Sequence, residues 1–272
     1  MAPMTMLKPE RAEATADTIK AGLARMGKTA QGPKPAYLDL KVNGTKMATA
    51  ELISQYTSLQ SVELQDNEIT DLSGLSMLPH LTSLDASNNK LSEVVALDPP
   101  PSNLRTLTLS NNSLTHMRDM SSYQQLRTLV LDGNQLTQLS GLGNLPFLKI
   151  LSVQHNRLTT CEGLSECHSV RRLLLNHNSI QSLGPLKTLV KLESLEVADN
   201  KLTSLKGLEG SAKLGHLDCS NNLITELDEV KHASPLPLLK QLTITGNAVV
   251  NYKLSKLHIV YLIPQLEVLN GA

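Results

Sequence analysis

One stretch of the sequence has the spacing of a phosphate-binding loop. Residues 22–29 read Gly-Leu-Ala-Arg-Met-Gly-Lys-Thr and formally match the pattern G-x-x-x-x-G-K-[ST]. A working loop of this kind follows a buried strand and begins a helix at its lysine. Residues 12–20 instead have a polar, helical pattern, and Pro33 and Pro35 prevent a helix after the match. We therefore expect the frayed end of a capping helix here, with no bound nucleotide.

Two histidines and an aspartate have the chemistry of metal ligands. His155, His177 and Asp199 recur at intervals of 22 residues, each directly before an asparagine. On adjacent strands about 4.8 Å apart, three such side chains could bind zinc. Other polar residues take the same position elsewhere, and no fourth ligand is evident. We expect a polar rim and predict no metal site. We also find no nucleophile arrangement of serine or cysteine with histidine, so we predict neither catalysis nor a cofactor.

Charge and composition exclude several classes of partner. The chain of 272 residues has 25 basic and 25 acidic residues and only 2% aromatic residues. This balance predicts no binding to nucleic acid or to an anionic membrane. Three cysteines form no disulfide framework, and residues 1–10 lack the apolar core of a signal peptide. No stretch reaches the length of a membrane span, about 18 apolar residues. We expect a reduced, cytoplasmic protein.

A leucine-rich repeat of about 22 residues organises these positions. The pattern L-x-x-L-x-L-x-x-N recurs along the chain, and a divergent first copy fits at Leu38, Leu40 and Asn43. The other copies end at Asn67, Asn89, Asn112, Asn134, Asn156, Asn178, Asn200, Asn222 and Asn247. We count ten repeats and predict an α/β leucine-rich-repeat solenoid. Short parallel strands line its concave face, and short 3₁₀ or irregular arcs form its convex face.

Both open ends of this solenoid need caps that cover leucines and strand edges. At the N-terminus, Ile19, Leu23 and Met26 form one apolar helical face, which predicts a capping helix over residues 11–27. We assign residues 1–34 to an N-terminal extension with this helix and residues 35–247 to the repeats. Residues 248–272 follow the last repeat.

The side chains that flank the strand leucines face the concave side and form two rows. We predict a protein-binding surface there, with acidic residues toward both ends and an apolar ridge of Val130, Ile150 and Leu174 in the middle. In the first copy, the rows begin at Asp39 and Tyr37. The expected partner is a helix or extended segment, in the favoured case a helix with an apolar stripe and basic flanks. The predicted contact residues are Asp85, Thr108, Val130, Ile150, Ser152, Arg172, Leu174, Glu196, His216 and Asp218.

Several segments resemble known repeat families. The 22-residue period with Gly-Leu arcs resembles the intracellular, phosphatase-regulator-like class of leucine-rich repeats. Residues 246–270 resemble the C-terminal cap of intracellular leucine-rich-repeat proteins, which implies a cap over residues 248–272 and so helical caps at both ends. Residues 19–23, 28–29, 36–38 and 67–73 resemble leucine-rich-repeat proteins of radial spokes. Residues 100–142 resemble the repeat region of leucine-rich-repeat/guanylate-kinase proteins. The resemblance implies a structural part of the axoneme in a cilium or flagellum, binding other radial-spoke proteins. The alternative is a soluble regulatory subunit, such as a phosphatase regulator or a ribonucleoprotein scaffold.

Overall fold

The repeats stack into an open sheet with one strand per coil. The computed structural model describes residues 9–29, 32–94, 97 and 99–271. Their strands form a single sheet in chain order, parallel throughout except for the first pair, and the predicted solenoid is confirmed. The strands are β1 (Leu23–Thr29), β2 (Gly32–Lys41), β3 (Ser61–Glu63), β4 (Ser83–Asp85), β5 (Thr106–Thr108), β6 (Thr128–Val130), β7 (Ile150–Ser152), β8 (Arg172–Leu174), β9 (Ser194–Glu196), β10 (His216–Asp218), β11 (Gln241–Thr243) and β12 (Val268–Leu269).

Leucine side chains fill the space between the sheet and the return segments. The middle residue of each short strand is buried, as at Leu107 and Leu129, because alternate side chains of a strand point to opposite faces. The return segments are turns and short 3₁₀ helices, as predicted for the convex face. Those helices are Glu51–Gln55, Ser73–Met77, Gly184–Thr188, Lys231–Ala233 and Ala248–Asn251. At Gly163 the backbone is left-handed (φ 87°) and lies against the Leu139 carbonyl, so a side chain would clash.

The N-terminal cap differs from the prediction. Helix α1 (Pro9–Gly22) ends five residues before the predicted boundary, and the chain continues as β1, which pairs antiparallel with β2. Ile19 is buried, as expected of a capping helix, whereas Met26 is 61% exposed. The hairpin strand covers the edge of the first coil, which a helix alone would leave with unpaired backbone groups. Of the predicted N-terminal extension, residues 1–8, 30 and 31 lie outside the described residues.

The first repeat is shifted by two residues from the predicted alignment. Asp39 pairs with Ser61 and Lys41 with Glu63, so Lys41, and not Asp39, begins the central row of the concave face. Asp39 correspondingly takes the place that was predicted for Tyr37. Because strand side chains alternate with a period of two, a shift of two residues keeps the same faces buried. The leucine pattern of this divergent first copy therefore fits both alignments.

The C-terminal cap combines a helix with a last strand. Helix α2 (Leu227–Val230) lies within the last long return segment, and helix α3 (Ser255–Leu262) follows the final repeat. Ile259 and Ile263 of this cap are buried against the core, and β12 pairs with β11. Among the helices of the described segments, none is both long and apolar enough to cross a bilayer.

Candidate protein-interaction surface

A ladder of buried asparagines holds the coils in register behind the concave face. Asn134 donates from Nδ2 to the Leu109 carbonyl of the preceding coil (3.0 Å) and to the Leu131 carbonyl of its own coil (2.9 Å). Its Oδ1 accepts from the amide of Leu114, 3.1 Å away. The same contacts recur from Asn67 to Asn247. These bonds satisfy backbone groups that the turn after each strand would otherwise leave unpaired.

The residue before each ladder asparagine has a left-handed backbone. The φ angle is 52° at His155, 56° at His177 and 53° at Asp199. Asparagine, aspartate, histidine and glycine tolerate this conformation better than other residues. The same position elsewhere holds Asp66, Asn88, Asn111, Gly133, Asn221 and Gly246. Backbone conformation therefore explains the residue types at this position, which sequence reasoning had explained only as a polar rim.

The histidine column forms a stack along the rim. The rings of His155 and His177 lie 4.1 Å apart and nearly parallel, at 15°. His177 Nδ1 lies 3.6 Å from Asp199 Oδ2, and Asp199 Oδ1 accepts a hydrogen bond from Asn221. Parallel rings do not direct their nitrogens at a common point. Within the described parts of the chain, no group of three or more histidine, cysteine, aspartate or glutamate residues is arranged to hold a metal ion.

The predicted contact residues lie on neighbouring strands. The central row runs through Asp85, Thr108, Val130, Ser152, Leu174, Glu196 and Asp218, and the second row includes Ile150, Arg172 and His216. The apolar ridge alternates between the rows, because Val130 and Leu174 flank Ser152 in one row and Ile150 lies in the other. Ile150 is 36% exposed, whereas Ser152 is only 4% exposed and lies in the floor of the surface.

A third row of polar residues, which sequence reasoning missed, fixes several of these side chains. The Asp132 carboxylate accepts hydrogen bonds from Ser152 Oγ and from the Gln154 amide, each 2.7 Å long. Asn176 Nδ2 donates to Gln154 Oε1 (3.0 Å) and to Glu196 Oε2 (3.1 Å). The third row consists of Asp132, Gln154 and Asn176, and each of them lies two positions after the end of a strand. The signal was in the sequence, as polar residues that recur every 22 positions.

Most acidic residues of the surface already have partners within the chain. Glu63 lies 2.9 Å from Lys41 Nζ, and Glu196 accepts from Arg172 at 3.2 Å. Asp218 accepts from the amide (2.9 Å) and hydroxyl (2.7 Å) of Ser220. The two ion pairs, Glu63 with Lys41 and Glu196 with Arg172, each contribute roughly 0–1 kcal/mol to stability. They nevertheless reduce the negative charge that the coils toward both ends present to a partner.

Neither the formal phosphate-binding match at residues 22–29 nor the three cysteines have the surroundings that phosphate binding or nucleophilic chemistry needs. Gly22 is the last residue of α1, and residues 23–29 form β1, which pairs antiparallel with β2. No helix therefore begins at Lys28 to direct backbone amides at a phosphate. The expected frayed helix end was wrong, since this segment is β1. Burial raises the pKa of Cys161 and Cys167 to about 12 and also raises that of Cys219, so none is an activated thiolate.

This geometry defines a class of protein. It is a leucine-rich-repeat solenoid whose short strands present side chains on an extended sheet, and such solenoids act as scaffolds for protein–protein interactions. A family model described as two copies of leucine-rich repeats matches residues 57–99, 124–166 and 168–210, and a single-repeat model matches residues 103–121. Together these matches cover more than half of the chain, which belongs to the leucine-rich-repeat family.

Two human proteins and one bacterial structure show the range of the similarity. Leucine-rich repeat-containing protein 23 is 38% identical over 77 residues, which cover 28% of this chain and 22% of that protein. Leucine-rich repeat and guanylate kinase domain-containing protein is 31% identical over 84 residues, 31% of this chain and 10% of that protein. The crystal structure of internalin C2 from Listeria monocytogenes has a TM-score of 0.57 at 26% identity, covering 77% of this chain and 81% of that one. The chain thus spans less than a quarter of the length of either human relative.

Proposed function

We propose that this chain is a non-catalytic scaffold that binds other proteins and serves as a structural component of the axoneme, at or near a radial spoke. The observation that carries the axonemal part is the similarity to leucine-rich repeat-containing protein 23. Residues 19–23 and 28–29, which resemble radial-spoke proteins, lie before the repeats, in α1 and β1, whereas residues 36–38 and 67–73 lie within the repeats. A likeness outside the repeats carries more weight, because leucine-rich repeats resemble one another generally.

The concave face supports the scaffold part of the proposal. Val130, Ile150 and Leu174 are partly exposed on adjacent strands within a polar surround, an arrangement typical of protein contacts. We propose that a partner helix with an apolar stripe covers this ridge. Because Glu63 and Glu196 are already paired within the chain, basic flanks on the partner have less to bind than the sequence suggested.

Location in ciliated cells tests the axonemal proposal. We expect a tagged full-length chain to stay with demembranated axonemes after extraction with high salt, as structural axonemal parts do. The soluble regulatory subunit, which is the alternative, predicts release with detergent into the soluble fraction. Complete release at low salt would contradict the axonemal proposal and favour that alternative.

Replacing the apolar ridge tests the contact surface. We expect Val130→Glu, Ile150→Glu and Leu174→Glu together to reduce retention more than about tenfold, because burying each such side chain contributes about 1.5–3 kcal/mol. The matched control replaces three exposed apolar residues outside the strands, Met77, Phe147 and Val190, by glutamate. Circular dichroism checks that both variants fold. Equal retention of folded ridge and control variants would show that the concave ridge is not the contact.

A further inference from the structure

A column of basic residues borders the apolar ridge. Arg105, Arg127, Lys149 and Arg171 each directly precede a strand, and all four side chains are exposed. In the two coils before them, this position holds the uncharged residues Gln60 and Thr82. In the two coils after them, it holds Glu193 and Gly215. The column is therefore a local feature of a chain whose overall charge is balanced.

The backbone fixes this column in register. The Arg127 amide donates to the Arg105 carbonyl, the Lys149 amide to Arg127, and the Arg171 amide to Lys149, each at 2.8 Å. Arg171 forms an ion pair with Glu193 at 2.9 Å. The structure pairs Arg105, Arg127 and Lys149 with no acidic group of the described residues. Like charges on adjacent strands destabilise a sheet, and carboxylates from a partner would offset that cost.

We propose that Arg105, Arg127 and Lys149, here called the basic ladder, bind the acidic edge of an amphipathic helix in a partner protein. The inference rests on the proposed function, since it names the partner's chemistry at the same surface. Val130 follows Arg127 by three residues, a distance of about 10 Å along a strand. A helix is about 10–12 Å wide. A helix whose apolar stripe covers the ridge therefore has one edge above the basic ladder.

Spacing favours a helix over an extended segment. A helix lying across the strands presents one residue per turn along an edge, every ~5.4 Å. Adjacent strands lie ~4.8 Å apart, so the mismatch over three coils is only about 1 Å. Alternate residues of an extended chain are about 6.6 Å apart, and the mismatch grows to about 4 Å. We therefore expect acidic residues at successive turns along one edge of the partner helix.

The test is a selection from a displayed library of helical peptides on the immobilised full-length chain. The peptides carry varied apolar residues along one stripe, and four positions along one edge are each glutamate, glutamine or lysine. Parallel selections use Arg105→Gln, Arg127→Gln and Lys149→Gln combined, the same residues changed to glutamate, and the ridge variant with Val130, Ile150 and Leu174 changed to glutamate.

A matched charge control replaces Lys187, Lys191 and Lys213 by glutamine, since these exposed lysines lie outside the strands. We expect glutamate to be enriched about tenfold at the edge on the wild type and on this control, because three exposed ion pairs each add a modest amount. The enrichment should vanish on the glutamine variant and turn to lysine on the glutamate variant. Added salt should weaken the preference.

The remaining outcomes separate the two proposals. Binders that require the ridge but show no preference for glutamate at the edge would overturn the basic ladder and leave the proposed contact surface intact. Enrichment that persists on the ridge variant, or the absence of any binder that requires the ridge, would overturn both. Selected peptides that still bind after a central residue is changed to proline would overturn the helical partner.

Discussion

A single asparagine in each coil performs three bonding tasks at once. Asn112, for example, donates to a carbonyl of the preceding coil and to two carbonyls of its own coil, and it accepts from the Leu91 amide. These contacts lie in the buried interior, where an unpaired polar group is costly. The leucines supply apolar area, but the asparagines determine how one coil sits on the next.

Removing one ladder asparagine should destabilise the chain locally and strongly. We expect Asn134→Ala to lower the free energy of unfolding by about 2–4 kcal/mol, because the Leu109 carbonyl and the Leu114 amide lose their side-chain partner. Urea unfolding followed by circular dichroism measures the change. Gln138→Ala is the control, since Gln138 is exposed on the same coil. Equal stability of the two variants would contradict the role of the ladder.

Three buried thiols should make stability depend on alkaline pH. Burial raises the pKa of Cys161 and Cys167 from an ordinary value of 9.0 to about 12. In the unfolded chain these thiols lose protons near pH 9, whereas in the folded chain they remain protonated. Unfolding therefore releases protons above pH 9, and stability falls as pH rises from about 9 toward 12.

The thiol contribution can be separated from that of other groups by substitution. We expect Cys161→Ala, Cys167→Ala and Cys219→Ala together to flatten the fall in urea stability between pH 9 and 11, whatever the change at pH 7. Tyrosines and lysines titrate in the same range, so the comparison is between the slopes of variant and wild type. Unchanged slopes would show that these thiols ionise equally in the folded and unfolded chain.

At the scale of elements, the N-terminal cap shows how tertiary pairing overrides a local pattern. Ile19, Leu23 and Met26 have helical spacing, yet the helix ends at Gly22 and the next residues pair with β2. Gly22 lies against the Lys41 carbonyl, so its lack of a side chain serves the helix-to-strand junction. The glycines of the formal phosphate-binding match are explained by packing in this hairpin.

Alanine substitutions at Gly22 and Gly27 should destabilise the hairpin to different degrees, because the added methyl groups would contact different atoms. We expect Gly22→Ala to destabilise the cap by about 1–3 kcal/mol, because its methyl group meets backbone. Gly27→Ala should cost less, since it meets only the movable side chain of Leu38. Hydrogen exchange of residues 23–41 measures the loss of stability in both variants.

Magnesium and ATP should leave the melting temperature of the protein unchanged. A rise that disappears in Lys28→Ala would instead establish nucleotide binding.

At the scale of the whole molecule, periodicity predicted the solenoid, its parallel sheet and the neighbours of each contact residue. It failed at the first coil, where Leu38, Leu40 and Val42 alternate and two alignments bury the same face. In the structure, the pairing of β2 with β3 places Leu40 beside Val62 and so shows which alignment the chain adopts. The left-handed backbone before each asparagine was also not predicted, although Asp66, Gly133 and His155 recur there at the repeat interval. The basic ladder is likewise visible only when the coils are aligned.

The asparagine ladder has a direction, and that direction bears on how the chain is made. Each asparagine reaches back, as Asn247 does to the Cys219 carbonyl and the Ile224 amide. A coil that has just left the ribosome thus keeps open backbone groups until the next coil follows. Asn270 ends the series by accepting from the Ile244 amide at 2.8 Å. A growing chain would therefore always carry one unfinished turn at its newest end, and synthesis of the cap would close it.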